Sequence, residues 1–158
     1  FYYLATASFF DSKYTGGNGE VYNSRFNKNY VVTVLGGKEF IFSKKANKTH
    51  ILGINARATL AGGHRTVQVN EQLSLQRQEI IYDWSNPYVD QNPADFFLDI
   101  TILYRKNKAK YSSVWAIQIK NATSTPSNSM YEYNLRDNII VNTSKMIVVP
   151  NISYKIEF

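Results

Sequence analysis

Hydrophobic and polar residues alternate with a period of two along most of this chain; the helical period is weak, its best stretch being Glu71–Ile81. The alternation predicts six strands, roughly Tyr2–Tyr14, Tyr30–Ser43, Ile51–Gly63, Phe96–Arg105, Ser113–Asn121 and Met146–Phe158. In the last, Val148, Ile152, Tyr154, Ile156 and Phe158 face one side, with Val149, Asn151, Ser153, Lys155 and Glu157 opposite. In the fourth, Phe96, Leu98, Ile100, Ile102 and Tyr104 oppose Phe97, Asp99, Thr101, Leu103 and Arg105. The third sets Leu52, Ile54, Ala56, Ala58 and Leu60 against Gly53, Asn55, Arg57 and Thr59, and the fifth sets Trp115, Ile117 and Ile119 against Ala116, Gln118 and Lys120. These strands each have one apolar and one mixed, partly charged face.

Such alternation suits a soluble sandwich, whose apolar faces turn inward, or a membrane barrel, whose apolar face turns outward. Connection length separates the two. Residues 15–29, 64–95 and 122–145 are long, polar and turn-rich, whereas 44–50 and 106–112 are short, and the two kinds alternate strictly. Outer-membrane barrels have long external loops and short periplasmic turns. Aromatic placement points the same way. Tyr2, Tyr3, Phe40, Phe42, Tyr104, Trp115, Tyr154 and Phe158 fall near the short-turn end; Phe9, Phe10, Tyr14, Tyr30, Phe96 and Phe97 fall near the long-loop end. Two aromatic girdles around an aliphatic band are what two membrane interfaces select. The expected fold is all-β: an antiparallel transmembrane β-barrel segment.

Composition adjusts this picture in three ways. Aromatics make up 15% of the 158 residues and charged residues only 19%, which suits membrane strands. The net charge of +6 raises the question of nucleic acid. The excess, however, forms no helical stripe: Lys44, Lys45, Lys48, Lys106, Lys108 and Lys110 sit in the two short connections, so no nucleic-acid partner is expected. No apolar run is long enough for a transmembrane helix, and without Cys there is neither disulfide nor thiolate site. The opening at Phe1, inside an aromatic run and with no leader pattern, reads as a cut through a longer protein.

The stretches YNSRFNKNYVVTVLGGKEF (22–40), ILGINARATLAGGHR (51–65), EIIYDWSNPYVDQNPADFFLDITILYRKNK (79–108) and VVPNISYKIEF (148–158) resemble the C-terminal end of TonB-dependent outer-membrane receptors of the Bacteroidota type. The resemblance covers nearly the whole chain and lies in the order and spacing of these pieces. It implies that residues 1–158 are about six strands of a roughly 22-stranded barrel in the bacterial outer membrane. It further implies a plug and a TonB-binding box outside this chain. The implied activity is TonB-coupled import of a nutrient or metal chelate, with the rest of the barrel, plug, TonB and outer-membrane lipid as partners. The chain departs from the family at His64–Gln68 and Ala122–Pro126, both at the mouths of long loops. Its ending also differs from receptors that work with a lipoprotein lid, so no lid is carried over.

Candidate residues follow. Loop 64–95 carries Tyr82, Asp83, Trp84 and Tyr88 close together, with Asp90, Arg65 and Arg77 nearby. Aromatic area beside a few charges suits an external substrate vestibule. Arg57, Asp99, Arg105 and Lys120, with Glu39, Lys155 and Glu157, fall on the mixed face, which lines the lumen in a barrel. Tyr154, Ile156 and the final Phe158 resemble the C-terminal signal read by outer-membrane assembly machinery. His50 and His64 lie in different connections without metal-ligand spacing, and neither a catalytic constellation nor a phosphate-binding glycine loop is found. No cofactor, metal or enzymatic activity is expected. The glycine pairs 16–17, 36–37 and 62–63 read as turns or bulges, and the sequons at Asn47, Asn121, Asn142 and Asn151 as chance. The alternative reading is a soluble all-β surface binding module of lectin or adhesin type; a smaller, non-transporting outer-membrane protein stands third.

Overall fold

A computed structural model describes residues 1–45 and 48–158. The sequon at Asn47, within the short connection 44–50, lies outside the described residues. In chain order the elements are β1 (Tyr2–Phe9), β2 (Lys13–Thr15), β3 (Val21–Asn23), β4 (Tyr30–Lys45), β5 (Lys48–Ala61), β6 (Arg65–Thr66), α1 (Glu71–Arg77), β7 (Asp90–Gln91), β8 (Asp95–Lys108), β9 (Ser112–Lys120), β10 (Pro126–Asn134), β11 (Ile139–Met146) and β12 (Val149–Glu157). The six long strands read from the sequence form one antiparallel sheet, ordered β1-β4-β5-β8-β9-β12. The remaining strands pair two by two in the long connections, as β2-β3, β6-β7 and β10-β11. The protein is thus all-β, and its large sheet is open at both edges.

Pairing register carries the alternation from one strand to the next, because directly opposed residues share a face. Ile54, Ile102, Ile117 and Ile152 are cross-strand neighbours in a single row, and Ala56, Ile100 and Ile119 form the next. Opposite them, Asn55 meets Thr101 and Thr101 meets Gln118. The aliphatic face of the sheet is uncovered: the four isoleucines are 43–68% exposed.

An aromatic row closes the apolar face at the short-turn end. Phe40, Leu52, Tyr104, Trp115 and Tyr154 are successive cross-strand partners, and the Trp115 and Tyr154 rings lie 4.4 Å apart. A bulge between Ile41 and Ser43 sets Phe42 against the His50 and Tyr104 rings, at 6.0 and 6.2 Å. At the other end Phe9 opposes Tyr30, and Phe96 opposes Leu60, on the same face. Some expected girdle members are elsewhere. Tyr2 and Phe97 pair with Gly37 and Thr59 on the mixed face. Tyr14 has left the sheet for the β2-β3 hairpin, because β1 stops at Phe9.

Strand ends differ from expectation for local reasons. β5 and β8 extend together towards the short turns, from Lys48↔Lys108 onward, and each has 14 residues. At about 3.3 Å per residue and a tilt of about 45°, such a strand spans roughly 33 Å. Met146, expected in the last strand, closes the β10-β11 hairpin instead, and β12 begins at Val149. The hairpin turns at residues 135–138. Asn134 accepts the Arg136 backbone N–H there, and Asn138 is left-handed.

Most of the buried residues lie off the sheet faces. Ala61 and Asp95 pair at the long-loop ends of β5 and β8, and Asn27, Gly62, Gly63, Val67, Ser74 and Pro87 lie in the long connections. This small core fixes the loops.

Candidate functional site

Three connections converge at the long-loop end: residues 10–29, 62–94 and 121–148. The first is held by Asn27, whose fully buried carboxamide accepts the Ser12 N–H at 3.0 Å and donates to Asp11 and Asn23 at 2.7 and 2.9 Å. Hydrogen bonds from Lys13, then Asn27, hold the Asp11 carboxyl below its ordinary range.

The second connection is a ladder with a helix at its tip. At its base Arg65 pairs with Gln91 and Thr66 with Asp90. Higher up, the Asn70 and Asp83 backbone N–H groups donate to Ile81 and Gln68 carbonyls, both at 2.8 Å. Asn70 then caps α1 by accepting the Leu73 N–H at 3.0 Å, and Gln78 ends the helix in the left-handed region. Fully buried Ser74 ties the helix back, its hydroxyl accepting the Ile81 N–H at 2.9 Å.

Gly62 and Gly63 let these backbones touch. A methyl group on Gly62 would overlap the Lys28 carbonyl, and one on Gly63 the Asn92 carbonyl. Arg65 seals the same junction: its backbone N–H bonds the Arg25 carbonyl at 2.9 Å, and its guanidinium reaches the Asn27 and Val89 carbonyls at 3.3 and 3.2 Å. Close backbone approach explains this glycine pair better than a turn or bulge.

The convergence leaves a cleft of about 220 Å³, lined by Arg25, His64, Arg65, Thr66, Val67, Tyr82, Trp84 and Tyr88, with Met130 and Tyr131 of β10 as the far wall. Trp84 stands edge-on to both neighbours, its ring 6.5 Å from Tyr82 and 6.3 Å from Tyr88. Tyr88 takes a left-handed backbone (φ 59°) just after buried Pro87, which turns its ring towards Trp84. Asp83 is not in the lining. It accepts the Ser85 N–H at 2.9 Å, and its hydrogen bonds with Ser85 keep its carboxyl below the usual range.

Among the described residues, no carboxylate lines the cleft. The Arg25 guanidinium lies 5.9 Å from the Phe26 ring. His64 is pushed towards its neutral form, first by burial; the Lys28 and Arg25 charges add to this and Asp95 opposes it. The lining therefore offers ring edges and positive charge, a surface for a neutral or anionic ligand with apolar area.

On the mixed face Arg57 and Asp99 form a cross-strand ion pair. Arg105 is half-buried there with its Nε unpartnered, and Lys120 ends β9 opposite Val149. Tyr154 and Ile156 lie on the apolar face, while Phe158 follows the last paired residue and is fully exposed. Among the described residues, no group of three or more His, Asp or Glu side chains is placed to hold a metal ion.

Sequence reasoning missed Arg25, Met130 and Tyr131. The signal for the last two was present: Tyr131 and Tyr133 alternate ahead of an Asp-Asn turn and the run Ile139-Ile140-Val141. Nothing local marks Arg25, which joins the cleft only through the junction of two loops. Compared with known proteins, the chain matches no family model, no curated protein and no solved structure.

Proposed function

We propose that the six-stranded sheet is part of an outer-membrane β-barrel, the C-terminal barrel segment of a TonB-dependent receptor. In this reading the loop cleft is part of an external vestibule for an imported nutrient or metal chelate. One observation carries the membrane part: an aliphatic face continuous across β5, β8, β9 and β12, bounded by an aromatic row and, among the described residues, covered by no second layer. In water such a face needs a partner sheet or helix. A soluble lectin-like module would bury it, and here the burial sits at the loop end instead.

The open edges support the same reading. β1 and β12 each present unpaired backbone groups, which cost several kcal/mol apiece in lipid. Six strands are also fewer than the roughly eight of the smallest barrels. Further strands, a plug and TonB are thus the expected partners. The receptor assignment rests on the resemblance of the four stretches named above.

Fractionation of the full-length protein tests the proposal. It should partition with outer membranes, require detergent, and migrate differently on gels with and without boiling. A detergent-free, monomeric 158-residue domain with one cooperative melt would end the membrane reading.

A further inference from the structure

The two short turns carry a charge pattern that the sheet itself does not explain. Of the 18 Lys and Arg, six are the lysines of these turns, and the other 12 match the 12 Asp and Glu of the whole chain. Neither turn contains an acidic residue. Register sets like charges against each other: Lys48 faces Lys108 directly. Like charges opposed across a ladder are destabilising without a counter-charge.

The same register fixes which side they occupy. Lys48 and His50 continue the face of Leu52, and Lys106 and Lys108 continue that of Tyr104. They stand one step beyond the aromatic row, on its apolar side. Lys108 also lies over the Tyr111 ring at 4.6 Å and donates to its hydroxyl. The Lys108 hydrogen bond first, and then the charges of Lys108, Lys106 and Lys48, lower the Tyr111 pKa. No ion pair involves Lys48, Lys106, Lys108 or Lys110 among the described residues.

We infer that Lys48, Lys106 and Lys108 form a docking site for the phosphodiester headgroups of anionic phospholipids in the leaflet at the short-turn end. The site rests on the membrane reading above and adds a lipid preference to it. The aromatic row and isoleucine rows take the acyl chains, and the lysines just beyond them take the phosphates. A lipid phosphate supplies the counter-charge that the opposed lysines lack.

Trp115, half-exposed in the aromatic row, reports on this site. The full-length protein would be reconstituted in phosphatidylcholine vesicles containing a brominated lipid, and the Trp115 signal isolated by comparison with Trp115→Phe. Brominated phosphatidylglycerol should quench Trp115 several-fold more effectively than brominated phosphatidylcholine at equal content. The preference should shrink at high salt. It should vanish in a Lys48→Gln/Lys106→Gln/Lys108→Gln variant and survive in the matching Lys→Arg variant, with inorganic phosphate at constant ionic strength leaving it unchanged. Equal quenching by the two lipids overturns the docking site while leaving the membrane reading intact. Quenching by neither overturns both. Loss of the preference in inorganic phosphate reassigns the lysines to free phosphate and also overturns the proposal.

Discussion

Asp99 faces Arg57 across β5 and β8, and its second carboxylate oxygen accepts the Asn121 backbone N–H at 3.0 Å. One acid thus joins an ion pair on the mixed face to the first residue of the loop after β9. Asn121 is left-handed, and its carboxamide donates to the Thr125 and Ile147 carbonyls at 2.8 and 3.0 Å, drawing both ends of that loop together.

The two partners of the pair should therefore differ when removed. Asp99→Ala frees both Arg57 and the Asn121 N–H and should cost about 1–3 kcal/mol. Arg57→Ala leaves the Asn121 bond and, with its side chain half exposed, should cost under about 1 kcal/mol. Chemical unfolding in detergent gives the order, and limited proteolysis should show loop 121–148 opening in Asp99→Ala alone.

Facing is testable by charge insertion. Ile100→Arg or Ile117→Arg should cost about 2–4 kcal/mol near a bilayer midplane, while Thr101→Arg or Gln118→Arg should cost far less. A shift in the fraction of folded barrel on unboiled gels reads the difference. Equal damage from both pairs would mean that the two faces meet the same environment.

Trp84 and Asp83 divide binding from loop support. Trp84→Ala removes the central ring of the cleft and should lower uptake of the cognate nutrient several-fold at normal surface abundance. Asp83→Ala removes the Ser85 cap and should raise protease sensitivity of loop 64–95, while Asp83→Asn, which keeps an acceptor oxygen, should behave like the native chain. Unchanged uptake in Trp84→Ala would leave its ring with a packing role.

His64 gives the loop cleft a pH dependence of definite sign. Its folded pKa lies below the ordinary 6.5, so between those two values the unfolded chain binds more protons. Stability at the loop junction is complete above about pH 6.5 and falls as the pH drops through that window. Protonation also removes the acceptor nitrogen that meets the Asn92 amide at 2.9 Å. Amide exchange in the β6-β7 stem should quicken from neutral pH to about pH 5 after correction for intrinsic rates, and His64→Gln should flatten the trend.

The six long strands and their faces were legible because period-two patterning is strong where one face is aliphatic, as from Phe96 to Tyr104. The β10-β11 hairpin was not: in Pro126–Asn134 polar residues dominate, so binary contrast is confined to the short Tyr131–Tyr133 alternation, and the turn chemistry is the stronger signal. The α1 helix surfaced as a weak period because seven residues barely establish one, and its boundaries come from the Asn70 cap and Gln78. Three cleft aromatics could be named from their spacing, whereas Asp83 could not be told from a ligand-facing acid without its Ser85 contact. Gly62 and Gly63 spoke for backbone freedom, but their neighbours Lys28 and Asn92 are some thirty residues away in either direction and are set by tertiary approach.

The directions of the outermost strands have a consequence for parity. Each neighbour in the sheet reverses direction, so β1 and β12, five steps apart, run opposite ways. An all-antiparallel ring joining these edges must continue that reversal from β12 round to β1. Only an even number of added strands does so; an odd number would force one parallel seam.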